Sequence, residues 1–174
     1  MRPHKNELER FLAQWEHEAG NTQRVLESLP PTQYDYRPDT TGRSLGELAW
    51  HLAEIEAYMT HGIETGRFDM GMKPPGIERP REVGPLATGY RRVHDEAVER
   101  VRRLKPGNLD RKLRFFDGGE KRVGDILWAS LLLHQIHHRG QLVLLCRLAG
   151  GRPPGTFGPT REDMAALRAQ LQKA

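Results

Sequence analysis

Apolar side chains recur at three- and four-residue steps over four long stretches of the chain. This is the period of one face of an α-helix, and each stretch is long enough to form several turns. The stretches cover residues 6–29, about 45–65, 85–104 and about 123–149. The pattern predicts an all-α protein, a four-helix bundle in one domain spanning residues 1–174.

Residues at the ends of these stretches indicate where the helices begin and stop. Pro30 follows the first stretch, and Ser44 with Glu47 has the spacing of a capping box before the second. Thr160 is placed to cap a short polar helix over about 160–172. A short C-terminal helix is therefore predicted after the bundle.

Two connections between the helices differ from ordinary tight turns. Residues 66–84 contain too many Gly and Pro for a regular element, so we expect a long crossover connection. Residues 113–123 read LRFFDGGEKRV, in which the Asp-Gly-Gly step predicts a short hairpin. The 66–84 connection and the 152–159 loop are candidates for the rim of a site.

The fourth stretch is apolar on almost all sides of the predicted helix. Such a helix lies either in the middle of a core or in an interface between copies of the chain. Trp128 and its leucine neighbours fit both arrangements, and we expect a homodimer. Cys146, the sole cysteine, is predicted to be a small buried residue of this helix.

Residues 134–141, His-Gln-Ile-His-His-Arg-Gly-Gln, carry the chemistry that is easiest to recognise. His134 and His138 are four residues apart, so on a helix they lie on consecutive turns and can coordinate one metal ion. At about 100° per residue they share a face with Leu131 and neighbouring leucines, which predicts that both imidazoles point inward.

His51 in the second helix is the candidate third ligand. It lies at the edge of the apolar stripe, and bundles build metal sites from side chains on facing helices. Three imidazoles suit zinc, nickel, copper or iron and leave a coordination position open. His137 falls at the flank of its helix and stays a weaker candidate. The alternative is that all are core histidines hydrogen-bonded to carbonyls or carboxylates.

The remaining histidines are predicted to be ordinary. His4 lies near the N-terminus, His17 and His94 are assigned to polar helix faces, and His61 lies near a helix end. None forms a Ser-His-Asp or Cys-His arrangement, and there is no Gly-rich phosphate loop.

Composition and charge narrow the classes of partner. The chain has 174 residues, a formal charge of +4 and a pI near 9.5, and the excess of Lys and Arg is concentrated in 91–122. Acids are interspersed there, which favours a solvated face over a nucleic-acid surface. No stretch reaches the length of a membrane span, and the single cysteine fits a reducing cytoplasm.

Two segments resemble the DinB/YfiT-like family of metalloenzymes. They are LGELAWHLAEIEAYM at 45–59 and LLLHQIHHRGQLVLLCRLAGGRPPGTFG at 131–158, with YDYRP at 34–38 as a further similarity. The resemblance implies a four-helix bundle, commonly dimeric, with a divalent metal held by His51, His134 and His138. Arg139, Gly140 and Gln141 match the residues after the last ligand.

The resemblance also implies a reaction class. Characterised relatives include S-transferases and isomerases that use bacillithiol, mycothiol or glutathione. The leading hypothesis is therefore a transferase that activates a low-molecular-weight thiol at a zinc or nickel ion. The resulting thiolate would attack a small electrophilic substrate. The alternatives are a metal-dependent hydrolase, a non-catalytic stress-related metal-binding protein and, as the weakest, a DNA-binding protein.

Overall fold

The computed structural model describes residues 6–172 as a helical bundle with five helices. The helix bounds are Glu7–Glu27 for α1, Leu45–Thr65 for α2, Gly84–Arg102 for α3, Val123–Leu148 for α4 and Arg161–Leu171 for α5. Helices α2 and α3 pack closely against each other, α2 also packs on α4, and α1 packs on α3 and α4. The predicted all-α fold with a short C-terminal helix is confirmed.

Local side-chain chemistry sets the helix ends. Ser44 and Glu47 form the predicted capping box at the start of α2, and Thr160 and Asp163 form another before α5. Gly66 ends α2 with φ +74°, a left-handed conformation that side chains other than Gly rarely adopt. The long connection begins at this point and runs to α3.

A small hairpin joins α3 to α4, as the sequence predicted. Strand β1 (Lys112–Arg114) pairs antiparallel with β2 (Glu120–Arg122), and Leu113 lies opposite Lys121. Gly118 supplies the positive φ that the turn needs.

Helix α4 is not uniform along its length. Val123–Asp125 is a first α-helical turn, Ile126–Leu133 is π-helical, and His134–Leu148 is α-helical again. Hydrogen bonding from residue i to i+5 changes the angle between successive side chains. The residues after Leu133 are therefore rotated relative to a regular helix that starts at Val123.

The interior consists of two apolar clusters separated by polar residues. One cluster holds the N-terminal half of α2 and the C-terminal part of α4, and the other holds the opposite halves of these helices. At the boundary each of α1 to α4 contributes buried polar side chains. We call this set the polar belt: Glu18, Thr22, Glu56, His94, Gln135 and Arg139.

The surface of α4 excludes one of the two arrangements expected for this helix. It is not buried on all sides within the bundle, because Leu133, Leu144 and Leu148 are 55–61% exposed. Cys146 is fully buried, as predicted, and burial raises the pKa of its thiol. Within residues 6–172, no helix combines the length and apolar character needed to cross a membrane.

Candidate metal centre

The imidazoles of His134 and His138 meet on consecutive turns of α4. Their Nε2 atoms are 2.8 Å apart and their ring centroids 4.6 Å apart. The i,i+4 spacing produces this proximity, because side chains on consecutive turns of one helix face are neighbours. Both rings are partly exposed, so their edges remain accessible from outside the bundle.

His51 reaches the same point from α2. Its ring centroid lies 4.8 Å from that of His138 and 5.9 Å from that of His134. One nitrogen from each of the three rings lies within 4.8 Å of the others. The three predicted residues thus form one cluster, and this cluster could hold a metal ion.

Two of the rings are held by side chains on their own helices. His51 Nδ1 lies 3.2 Å from Glu54 Oε2, and His138 Nδ1 lies 2.7 Å from Gln141 Oε1. Both partners are oxygen acceptors, so each Nδ1 carries the proton. The Nε2 atom of each neutral ring therefore has a free lone pair, and that is the atom available to a metal.

The third ring lies close to the backbone of its own helix. The backbone of Ser130, one turn earlier, favours the protonated form and so acts against the lowering of the pKa of His134. The Nε2 atom of His134 faces that of His138. In His51 and His138 the acceptor at Nδ1 leaves Nε2 directed into the cluster.

Protons bind weakly at this cluster. Burial, reinforced by the neighbouring imidazoles, lowers the pKa of His138 to about 4, although the bond to Gln141 acts in the opposite direction. Burial and the charge of His51 also lower the pKa of His134. The Nε2 atoms of His134 and His138 lie 2.8 Å apart, so either one of them carries a hydrogen that it donates to the other, or both face a cation. At neutral pH the donor set therefore fits a divalent transition metal better than a proton.

An ion pair ties the cluster to the long connection. Glu54 Oε1 accepts from Arg79 at 2.7 Å while Oε2 holds His51. Burial raises the pKa of Glu54, but its bonds to His51 and Arg79 outweigh that effect and leave it below its ordinary value. Glu54 also lines a surface cavity of about 540 Å³. The other residues that line it are Tyr58, Met72, Lys73, Pro74, Ile77, Glu78 and Arg79.

Comparison with known proteins identifies the family of the chain. Residues 1–173 match the model of the DinB family. The chain belongs to the DinB family.

Individual relatives agree with that assignment. The DinB family chain is 30% identical over 170 residues to the uncharacterized protein YrdA of Bacillus subtilis, covering 95% of this chain and 97% of that protein. The crystal structure of a DinB-like protein from Bacillus cereus superposes with a TM-score of 0.69 at 27% identity, covering 83% and 94% of the two chains. The DinB-like protein YjoA of Bacillus subtilis shares the fold, with a TM-score of 0.66 at 21% identity over 84% and 96%.

Two expectations about the histidines of this DinB chain need correction. His134 and His138 lie at the side of the core, because the π-helical stretch rotates α4 and its fully buried face carries Gln135 and Arg139 instead. His94 does not lie on a polar face. It is 2% exposed, with Nδ1 2.9 Å from Glu56 Oε2.

The other histidines behave as expected where the structure describes them. His17 is exposed, and His61 is partly exposed near the end of α2. His137 is exposed outside the cluster, and Gln141 Nε2 lies 3.1 Å from its Nε2. The prediction for His4 falls outside the described residues.

Sequence reasoning missed the polar belt of the DinB chain. Gln135 and Arg139 are polar residues four apart inside an apolar helix, and this was a usable signal. Glu56 stands among the apolar residues of α2 in the same way. Polar residues inside apolar helices imply buried partners, although the sequence does not say which residues those are.

Proposed function

We propose that this protein is a divalent-metal-dependent enzyme that transfers a low-molecular-weight thiol to a small electrophilic substrate. His51, His134 and His138 hold the metal, with zinc or nickel as the preferred ion. The observation that carries the proposal is the meeting of three imidazoles, with the Nε2 atoms of His134 and His138 2.8 Å apart and acceptors at Nδ1 of His51 and His138. This is the donor arrangement of a three-histidine catalytic site.

Three neutral ligands suit thiol chemistry. His51, His134 and His138 would hold a divalent ion without reducing its charge, and such an ion would supply the acidity that deprotonates a bound thiol at neutral pH. In the reaction the thiol proton goes to solvent, a sulfur–carbon bond forms, and the leaving group departs with its bonding electrons. The residues of this chain orient the rings: Glu54 holds His51 and Gln141 holds His138.

The surroundings of Glu54 limit its chemical role. A carboxylate acting as a general base needs an oxygen free to take the proton, and both oxygens of Glu54 are engaged, by His51 and by Arg79. A hydrolase would therefore have to draw its nucleophile from metal-bound water alone. The adjacent cavity, with Met72, Pro74 and Ile77 in its wall, offers apolar space for the electrophile.

The test compares metal-loaded with metal-stripped protein. Elemental analysis of protein purified without an affinity tag first identifies the metal. Each form is then incubated with glutathione, bacillithiol, mycothiol or cysteine and a chlorodinitrobenzene, and the thioether product and released chloride are measured. We expect conjugation with the loaded protein only. Conjugation should disappear in His138→Ala. It should persist in His17→Ala, because His17 is an exposed residue of α1 that is not part of the cluster.

Equal rates for loaded and stripped protein with every thiol would overturn the transferase proposal. A bound metal that raises the unfolding temperature without supporting conjugation would instead favour the non-catalytic, structural role. Ester or amide cleavage by the loaded protein, without conjugation, would favour the hydrolase.

A further inference from the structure

One carboxylate in the polar belt connects all four long helices. Glu56 Oε1, on α2, accepts from Trp15 Nε1 at 3.1 Å, from Tyr90 Oη at 2.8 Å and from Gln135 Nε2 at 2.5 Å. Its Oε2 lies 2.9 Å from His94 Nδ1. The donors come from α1, α3 and α4, and Glu56 itself is fully buried. A buried carboxylate with this many donors holds the side chains around it in fixed positions.

The contact between Glu56 and Gln135 differs from these other bonds in the two helices that it links. It joins α2, which carries His51, to α4, which carries His134 and His138. Within residues 6–172, no other side-chain hydrogen bond links these two helices. Besides the imidazoles of the cluster, α2 and α4 meet through apolar side chains, and apolar packing has little directional preference.

Gln135 also lies close to the point where the helical geometry of α4 changes. It is the residue after His134, just beyond the π-helical stretch Ile126–Leu133, where the helix returns to α-helical geometry. Its amide donates a second bond, to Tyr90 Oη at 3.0 Å. The two hydrogen bonds of Gln135 therefore oppose rotation of the α4 segment that carries His134 and His138.

The rotation of α4 must be held closely for three rings to share one ion. A side-chain tip about 6 Å from a helix axis moves about 2 Å when the helix turns by about 20°. Metal and catalytic sites tolerate errors of only about 0.5 Å. Apolar packing sets the distance between helices but has little directional preference, whereas a buried hydrogen bond fixes the direction in which two side chains meet.

We propose that Gln135 and Glu56 are positioning residues of the metal centre. Their hydrogen bond fixes the rotation and depth of α4 against α2, so that the Nε2 atoms of His134 and His138 meet that of His51. This inference rests on the proposed function, because it requires that the three imidazoles bind a metal. It assigns a function to the second residue of the His-Gln-Ile-His-His run.

The test measures metal binding rather than activity. Gln135→Met keeps the length of the side chain but cannot donate to Glu56. Trp15→Phe is the matched control, because it removes another donor to the same oxygen from α1, a helix without a ligand. Zinc affinity is measured by competition with a chelating dye, cobalt(II) absorption reports ligand geometry, and thermal unfolding of the stripped protein reports stability.

We expect Gln135→Met to weaken zinc binding roughly 10- to 100-fold and to change the cobalt(II) spectrum. Trp15→Phe should lower the unfolding temperature while leaving affinity and spectrum unchanged. Glu56→Gln should preserve binding, because its amide oxygen still accepts from Gln135 and its amide nitrogen can donate to neutral His94. If Gln135→Met does not fold, Gln135→Asn, too short to reach Glu56, replaces it.

The outcomes separate the two proposals. If the wild-type protein binds metal and Gln135→Met or Gln135→Asn binds it with the same affinity and spectrum, the positioning role is wrong and the proposed function stands. Equal loss of affinity in Trp15→Phe would show that general stability, and not position, is responsible. If the wild-type protein binds neither zinc nor cobalt, the proposed function fails and the positioning role fails with it.

Discussion

Arg139 and Glu18 form a buried ion pair one residue beyond His138. Arg139 Nη2 lies 2.5 Å from Glu18 Oε2, and the two side chains are 2% and 1% exposed. Arg139 Nη1 also donates to the Glu18 carbonyl and lies 3.3 Å from Thr22 Oγ1. The pair attaches the metal-binding segment of α4 to α1.

Removing one partner of this pair should destabilise the protein strongly. We expect Arg139→Met to lower the free energy of unfolding by about 3–5 kcal/mol, because the Glu18 carboxylate would remain buried without its cation. The exposed pair between Arg102 and Glu16 is the control, and Arg102→Met should cost less than about 1 kcal/mol. Urea unfolding of stripped protein measures both, and equal losses would show that the buried pair has no special role.

Metal addition should stabilise the folded protein through the three imidazoles. With free zinc at about 100 times its dissociation constant, the wild-type protein should gain about 2.7 kcal/mol. His138→Ala should lose this gain, and His17→Ala should retain it. Calorimetry with and without zinc makes the comparison. A full gain in His138→Ala would remove this residue from the ligand set.

Glu54 should tune the affinity of the site without being a ligand. Glu54→Gln weakens the acceptor behind His51 and its ion pair with Arg79, so we expect zinc affinity to fall about 10- to 100-fold. Glu78→Gln is the control, because Glu78 lines the same cavity without a bond to His51. Dye competition measures both variants, and unchanged binding in Glu54→Gln would contradict the orienting role.

The pair of His94 and Glu56 should make stability depend on pH. Burial lowers the pKa of His94, but the bond and charge of Glu56, with Glu16 and Asp95 further away, outweigh it and raise the pKa above 6.5. The rings of Trp15 and Tyr90 also contact His94.

A raised histidine pKa means that the folded state holds the proton more tightly than the unfolded state. The stabilisation is therefore complete below pH 6.5 and is lost as the pH rises through the folded-state pKa of His94. We expect the stability difference between the wild-type protein and His94→Gln to shrink with rising pH. Urea unfolding of stripped protein from pH 6.5 upward tests this, and a constant difference would contradict it.

The homodimer expected from the sequence remains a prediction. Leu133, Leu144 and Leu148 expose apolar surface along one side of α4, which suits contact with a second copy. Leu144→Glu should then give a monomer in sedimentation experiments, whereas Met70→Glu, 82% exposed on the connection, should not. A monomeric wild-type protein would show that the stripe has another role.

Features that depend on neighbouring residues in the chain were predictable. The helical periods, the caps at Ser44 and Thr160, the hairpin after α3 and the pairing of His134 with His138 all follow from local geometry. The choice of His51 needed the further expectation that α2 faces α4. The burial of His94 was mispredicted, because its polar neighbours along α3 do not reveal the carboxylate of Glu56 that partners it.

The amino-acid sequence by itself determined the helices, their boundaries and the spacing that puts two imidazoles on consecutive turns. Only the tertiary structure decided which rings meet, how α4 is rotated at its π-helical stretch, and that Glu56 and Gln135 join the helices beside the cluster. The physical reason is the separation along the chain over which each kind of interaction acts. Helix formation and capping act within about four residues, whereas the partner of a buried polar group is set by how distant helices pack.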